Sequence, residues 1–300
     1  MDNQLLPLVS IITPSFNQGQ FIERTIQSVL NQDYSNIEYI VMDGGSTDNT
    51  LDILKRYTGK LKWISEKDQG QAHAINKGLK ESHGEIVAYL NSDDVYFPGA
   101  VFQAVQFLLE QHEYGMVYSN GYYIDAQDKT LKLYPTEKFD MNRLAENCFI
   151  CQPAVFIRKS ILTEVGYFDE KLMCSMDYDM WIRIAKKFSI GYVSAFWAGS
   201  RWHQDIKTIK LRKSAILESM KISKKYFGYI GREWWLTLYQ YYIDEVFNKS
   251  TFWQKQMRKW TKTLFEYHQN CRAKYPTYHH NPDGLLRYWV RKQKKRFFET

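Results

Sequence analysis

Between Val9 and Asp94 the chain reads VSIITPSFNQGQFIERTIQSVLNQDYSNIEYIVMDGGSTDNTLDILKRYTGKLKWISEKDQGQAHAINKGLKESHGEIVAYLNSDD, and this stretch decides the fold. Val9–Thr13 (VSIIT) is a short apolar run that ends at Pro14, the pattern of a buried strand stopping at a loop. In Phe21–Gln32 the residues Ile22, Ile26, Val29 and Leu30 recur at helical spacing. Ile37–Met42 (IEYIVM) is a second strand, closed by the turn signal DGGS. Leu51, Ile53, Leu54 and Tyr57 mark the next helix, and Leu61–Ser65 (LKWIS) a third strand. A glycine-containing loop then leads into a helix around Ala72–Lys80, and Ile86–Leu90 (IVAYL) is the fourth strand. Strand and helix alternate four times within about ninety residues, which predicts a parallel sheet with helices on both faces. Ligands of such sheets sit beyond the carboxyl ends of the strands. Here those ends are Thr13, Asp43, Ser65–Asp68 and Asn91–Asp94, where the unusual polar residues gather.

The following hundred residues are less regular. Met116–Tyr118, Ala154–Arg158, Ile190–Val193 and Leu131–Tyr134 read as strands, and Asp177–Lys187 as a helix. From Asp205 the texture becomes helical. Ile206, Ile209, Leu217, Met220 and Phe227 fit one face, and 233–247 and 252–271 read as further helices.

Apolar residues are 44% of the 300 and charged residues 24%, a globular balance far from that of a disordered chain. Twenty-two tyrosines, 17 phenylalanines and 9 tryptophans suit sugar stacking, a membrane interface or a rich core. The net charge of +7 hides an asymmetry. Residues 1–200 carry 18 Lys and Arg against 25 Asp and Glu, whereas residues 201–300 carry 22 against 8. An acidic catalytic part, 1–204, followed by a basic, aromatic-rich helical extension, 205–300, is the expected division. MDNQLLPLV has neither a basic n-region nor an apolar core, and no run of about 18 apolar residues occurs, so the expectation is a cytoplasmic protein. Cys148, Cys151, Cys174 and Cys271 are too few for a disulfide scaffold and fit reduced thiols. Cys148 and Cys151 form a lone CxxC with no matching ligand pair, and are read as incidental rather than as zinc ligands.

Asp93-Asp94, at the end of an apolar strand and just before Pro98-Gly99, is the sharpest chemical feature. Hard cations such as Mg²⁺ and Mn²⁺ need few, rigidly placed oxygen ligands and leave positions open for phosphates. The alternative is a pair of turn aspartates, and Asp43 at a neighbouring strand end weighs against it. Acidic groups converging on one rim are costly unless a cation or donor neutralises them. The segment DGGSTDNT, taken alone, is equally a plain turn with a helix cap at Ser46 or Thr47.

The run from Ser10 to Thr50 resembles the start of the glycosyltransferase family 2 domain, and EKDQGQAHAINKGL and GEIVAYLNSDD are similar to its second and third motifs. The likeness extends more loosely to about residue 205. It implies the GT-A fold, a Rossmann-like mixed and mostly parallel sheet flanked by helices, here with a C-terminal helical extension. It also implies an inverting, metal-assisted hexosyl transfer from a nucleotide-sugar donor, a UDP-sugar favoured, to a hydroxyl of a glycan or lipid-linked acceptor. Thr13, Pro14 and Ser15, with Asn17 beside them, would line the base and ribose pocket, and Asp43 would bond the base. Asp68 and Gln69 would face the nucleotide or sugar, with Asn76 and Lys77 on the helix beneath. Asn91, Ser92, Asp93 and Asp94 occupy the place of the family's metal motif for Mn²⁺ or Mg²⁺. Asn in the first position shifts the ligand duty to Asp93 and Asp94.

In Met176-Asp177-Tyr178-Asp179 the family's usual Glu-Asp has become Met-Asp. The resemblance makes Asp177 the general base, and the alternative is a helix N-cap; one residue can be both. His203, in Arg201-Trp202-His203, falls where the family has a histidine on a segment folding over the diphosphate, and is read either as a phosphate or metal contact or as structural. Gln152-Pro153 resembles the acceptor-side segment, while Trp181 and Trp197 suit the core better than a sugar face.

Leu285–Phe298 (LLRYWVRKQKKRFF) interleaves six basic residues with apolar and aromatic ones. This suits an anionic membrane surface, a nucleic-acid patch or a solvated helix. With a lipid-linked acceptor in view, residues 285–300 are expected on the cytoplasmic face of the membrane, with no nucleic-acid partner. Two rivals complete the reading. A sugar nucleotidyltransferase would want a basic glycine-rich loop after the first strand, which PSFNQGQF is not, and a degenerate sugar-binding module would not need Asp43, Asp93, Asp94 and Asp177 together.

Overall fold

A computed structural model describes residues 6–203 and 206–246. The chain parts into two compact units, one of residues 1–144 with 148–206, the other of 145–147 with 207–300. Nothing in the sequence signals that 145–147 joins the second unit. The helix expected at 252–271, Cys271 and the basic stretch 285–300 lie outside the described residues.

In the first unit, β1 (Val9–Ser15), β2 (Ile37–Asp43), β3 (Lys62–Ser65) and β4 (Ile86–Tyr89) alternate with helices α1 (Ile22–Leu30), α2 (Thr50–Arg56) and α3 (Gln71–Glu81), as the periodicity predicts. Then follow β5 (Val95–Tyr96), α4 (Ala100–Glu110), β6 (Tyr114–Ile124), β7 (Thr130–Leu133), α5 (Met141–Glu146), β8 (Val155–Arg158), α6 (Leu162–Val165), α7 (Met176–Ala185) and β9 (Ser189–Arg201). One sheet holds all nine strands in the order β3-β2-β1-β4-β8-β6-β9-β5, with β7 on β6. The β3-β2-β1-β4 block is parallel. Beyond it β8 runs antiparallel to both β4 and β6, β6 and β9 are parallel, and β5 is antiparallel to β9, so the sheet is mixed.

The strand expected to stop at Pro14 runs on to Ser15, pairing Pro14 with Met42 and Ser15 with Asp43. Proline is tolerated in this central strand because β4 pairs with β1 only as far as Ile12–Tyr89. On the β4 side, Pro14 therefore has no ladder bond to donate. Helix α3 lies close over β1 and β2 because residue 78 is glycine: a Cβ there would stand 2.5 Å from the Ile12 side chain. The core beneath α1, α2 and α4 is built from Val9, Ile11, Ile22, Ile26, Val41, Ile53, Val101 and Leu108, all buried. Trp181 and Trp197 are fully buried, so both serve the core.

The second unit contains α8 (Lys207–Lys210), α9 (Arg212–Phe227) and α10 (Arg232–Val246). The face expected from Ile209 and Leu217 is corrected here. The chain breaks at Leu211, which resets the helical phase, and α9 buries Ile216, Ser219, Met220, Ile222 and Ser223 while Ile209 is exposed. No helix among the described residues is long and apolar enough to cross a membrane.

Candidate active site

The carboxyl ends of β1 and β2 are tied together by their loops. Asp43 is buried and organises the turn after β2. Its Oδ2 accepts from the main-chain N–H of Gly45 (3.1 Å) and Ser46 (2.9 Å) and from Ser65 Oγ (2.6 Å), and its Oδ1 accepts from Ser46 Oγ (2.5 Å). A carboxylate offers about four acceptor positions. A base bonding to Asp43, as the resemblance implies, would have to replace one of these partners. Asn17 sits at φ 52°, a left-handed conformation asparagine tolerates, and its Oδ1 accepts from Thr47 N–H at 2.8 Å. Gln18 N–H donates to Thr50 Oγ1 and Gly19 N–H to Asp48 Oδ2, so the two loops close as one wall. The alternative of a helix cap at Ser46 or Thr47 is not met: α2 starts after Asn49, and Asp48 Oδ1 accepts from Thr50 N–H (3.0 Å). Thr13 faces inward against the Tyr39 hydroxyl (3.1 Å). Buried Ser15 Oγ has no protein hydrogen-bond partner among the described residues, an unmet polar atom at the end of β1 that a polar ligand could satisfy.

The turn after β4 carries the acidic pair, and its two aspartates differ. Asp94 is buried: Oδ1 accepts from Arg201 N–H (2.9 Å) and Oδ2 from Asn91 Nδ2 (3.2 Å). Burial first, then the charge of Asp93, push its carboxyl up to about 8. The Asp93 side chain is 20% exposed on the rim, with its Oδ2 3.0 Å from His203 Nε2. The turn is held from three sides. Thr25 Oγ1 on α1 lies within hydrogen-bond distance of the Ser92 and Asp94 carbonyls (2.9 and 2.7 Å). Arg201 Nε donates to the Asp93 carbonyl (2.6 Å) and its NH1 to the Asp125 carbonyl (2.7 Å), while NH2 pairs with Asp128. The Arg201 guanidinium lies 5.0 Å from the Phe21 ring centroid, and the His203 ring packs against that same ring at 4.7 Å with the planes tilted by 41°. His203 is thus tied directly to the carboxylate rim.

Asn91 joins this turn to its neighbours. Its Oδ1 accepts from Gln71 Nε2 (2.7 Å) at the start of α3, and its Nδ2 donates to Gln152 Oε1 (3.0 Å), whose own amide donates to the Tyr89 carbonyl (2.9 Å). Asp68 bends back over the end of β2, its Oδ1 accepting from Gly70 N–H. It comes so near because residue 44 is glycine: a Cβ there would lie 2.6 Å from Asp68 Oδ2. Gln69 is exposed at the rim. Asn76, expected beside the nucleotide, is buried and directed elsewhere: its amide bonds the Phe168 main chain in both directions (2.9 and 3.0 Å) and Glu170 Oε1 (2.8 Å). It braces the segment before α7.

Asp177 is the second residue of α7, whose N-cap position is Ser175. The half-buried carboxylate accepts from Tyr178 N–H (2.8 Å) and lies where the helix dipole favours an anion. The buried Tyr89 phenol feels the Asp177 charge. That phenol is pushed well above its usual range by burial, and then by the charges of Asp177, Cys148 and Asp94. The Cys148 thiol is likewise pushed up by burial and then by Asp177. Asp179 is turned away into an ion pair with Arg183 (2.7 Å), whose guanidinium also covers the carbonyls of Val165, Gly166 and Tyr167. Two site residues have weak sequence signals. Arg201 betrays itself only by preceding Trp202-His203, and Gln71 looks like an ordinary helix-start residue.

Comparison with known proteins places this arrangement. Residues 10–166 match the model of glycosyl transferase family 2. An uncharacterized glycosyltransferase of Rickettsia prowazekii is 31% identical over 66% of this chain and 64% of its own. The Escherichia coli UDP-Glc:alpha-D-GlcNAc-diphosphoundecaprenol beta-1,3-glucosyltransferase WfgD is 29% identical over 69% of this chain and 81% of its own. The chain spans between 30% and 66% of the length of the first five curated relatives it matches. Among solved structures, Staphylococcus aureus TarS 1–349 in complex with UDP-GlcNAc superposes with a TM-score of 0.57 at 18% identity, over 73% of this chain and 71% of that one. The Pyrobaculum calidifontis mannosyltransferase PcManGT, in complex with GDP-Man and Mn2+, gives 0.58 at 19%, over 76% and 66%. The fold is therefore GT-A, and the chain belongs to glycosyl transferase family 2.

Proposed function

We propose that the chain transfers a hexosyl group, with inversion, from a nucleotide sugar to the hydroxyl of a glycan or lipid-linked acceptor. The observation that supports this reading is a family 2 sequence with two unlike carboxylate sites: the rim pair of Asp93 and His203 after β4, and Asp177 at the start of α7. The pocket between the loops of β1 and β2 takes the nucleotide, with Ser15 and Asn17 on its wall. WfgD is named for UDP-Glc, which supports a UDP-sugar here. WfgD's name also carries a diphosphoundecaprenol-linked acceptor, which supports the lipid-linked class here.

The residues fit a hard divalent cation. No group of three or more His, Cys, Asp or Glu that could hold a metal occurs among the described residues. Mg²⁺ and Mn²⁺ sites that serve phosphates take only one or two carboxylates, the rest coming from phosphate oxygens and water. Of the expected pair Asp93 and Asp94, Asp93 on the rim would hold the ion together with His203, and buried Asp94, bonded by Arg201 N–H and Asn91, would stand behind it. Such an ion supplies charge neutralisation for the departing diphosphate. The protein supplies the rest. Asp177 accepts the acceptor's hydroxyl proton as that oxygen attacks the anomeric carbon, and the closed loop wall holds the donor in line.

Calorimetric titration with UDP, with and without Mn²⁺, tests the donor half. Wild-type protein should bind UDP in a metal-dependent way. Asp93→Asn should weaken that binding by about 10- to 100-fold, the scale seen when a metal site loses a supporting group. Equal metal dependence in the variant would refute the assignment of Asp93.

The basic stretch 285–300 is proposed to bind anionic lipid at the cytoplasmic face through the charge of its Arg and Lys residues. Flotation with anionic liposomes should carry the full chain and leave a 1–284 truncation behind. Equal flotation of the two would remove this part of the reading.

A further inference from the structure

Three strands of the first unit bring aromatic rings together beside the acidic rim. Tyr134, just past β7, stacks on Tyr123 of β6 with centroids 4.9 Å apart and planes at 28°. Tyr123 in turn meets Trp202 edge-to-face at 5.2 Å. Lys132 of β7 places its ammonium 5.1 Å from the Tyr123 centroid and 5.5 Å from that of Trp202. The alternation of β6 sends Tyr122 to the other face, where it stacks on Phe196 at 4.4 Å.

This row has direction. Trp202 immediately precedes His203, whose imidazole is on Asp93. At the other end the Tyr134 phenol is raised by burial and by nearby charges that include Asp177, and Tyr123, raised to about 12 mainly by burial, feels Cys151 and Asp94. The row therefore begins one residue from the rim histidine, at Trp202. An indole 46% exposed at such a place is a flat apolar surface that the fold has not covered. The cation set against its ring fits a ligand that carries negative charge close to a flat, partly apolar body.

We propose that Trp202, Tyr123 and Lys132 form the acceptor subsite, with a pyranose ring lying on Trp202 and its phosphate or diphosphate substituent paired with Lys132. The proposal rests on the transferase reading, and it narrows the acceptor to a phosphorylated saccharide. Such a group comes either from a soluble sugar phosphate or from a lipid-linked sugar diphosphate.

Saturation-transfer NMR in the presence of UDP and Mn²⁺ tests it with three probes: N-acetylglucosamine 1-phosphate, decyl-diphosphate-linked N-acetylglucosamine and neutral decyl N-acetylglucosaminide. Wild-type protein should bind the charged probes more tightly than the neutral one. Trp202→Ala should weaken all three by about tenfold, the scale of one lost aromatic stack. Lys132→Ala should erase the preference for charge and leave the neutral probe unchanged. A diphosphate probe superior to the 1-phosphate assigns the lipid-linked source, and parity assigns the soluble one. Wild-type binding without charge preference, or Trp202→Ala binding like wild type, overturns the proposal. UDP affinity is measured alongside: it should be unchanged in both variants, and its absence from the wild type would instead refute the transferase reading.

Discussion

Asp177→Asn should lower the rate of sugar transfer by about 100- to 10,000-fold, the usual contribution of a positioned general base, while metal-dependent UDP binding stays at the wild-type level. The substitution keeps the size of the side chain and its place in the first turn of α7, and removes only the capacity to accept a proton. The surroundings favour a role beyond structure. Asp179 already anchors the helix through Arg183, so that task does not fall to Asp177. Single-turnover transfer measured beside UDP titration separates the outcomes. Unchanged transfer would remove Asp177 as the base; a loss of UDP binding of equal size would make it part of the donor pocket.

Arg201→Met should cost about 3–5 kcal/mol of stability, read as a melting temperature lower by roughly 10 °C. The guanidinium is buried and covers the carbonyls of Asp93 and Asp125; each carbonyl left without a donor costs about 1–3 kcal/mol. Asp128 adds little to this sum, since its side chain is 39% exposed and water takes over the charge. Arg201→Lys should recover only a small part, because an ammonium cannot reach three acceptors in the geometry of the planar fork. Metal-dependent UDP affinity should fall in the Met variant as the turn at Asp93 loosens. A melting temperature within about 2 °C of wild type would show that the network is dispensable.

The parallel half of the sheet was legible because each strand is a pure apolar run closed by a turn signal, and each helix shows its buried stripe. The second half was less so. β5 has two residues, and β9 runs for thirteen with register shifts that blur its alternation, so only Ile190–Val193 stood out. The positions of the site were legible as strand ends; the division of labour among them was not. Asp93 and Asp94 are adjacent and identical in chemistry, and only the arrival of Arg201 N–H from 107 positions away distinguishes the buried one from the exposed one. Asn76 illustrates the opposite case. It lies in a motif associated with the donor, yet its amide is matched to the main chain of Phe168, a long-range partner no local pattern reveals.

The tripeptide Arg201-Trp202-His203 shows how little room this region has for change in length. Arg201 and His203 both lie on Phe21, and Trp202 between them turns to Tyr123 and Lys132. On the proposed reading, three consecutive side chains would serve the support of the rim, the acceptor platform and the rim itself, Arg201 as the last residue of β9 and the other two just beyond it. Substitution can therefore tune each duty separately. A single inserted or deleted residue here would exchange inside for outside and disable all three at once, so divergence in sugar preference must come through replacement at these positions and through indels elsewhere.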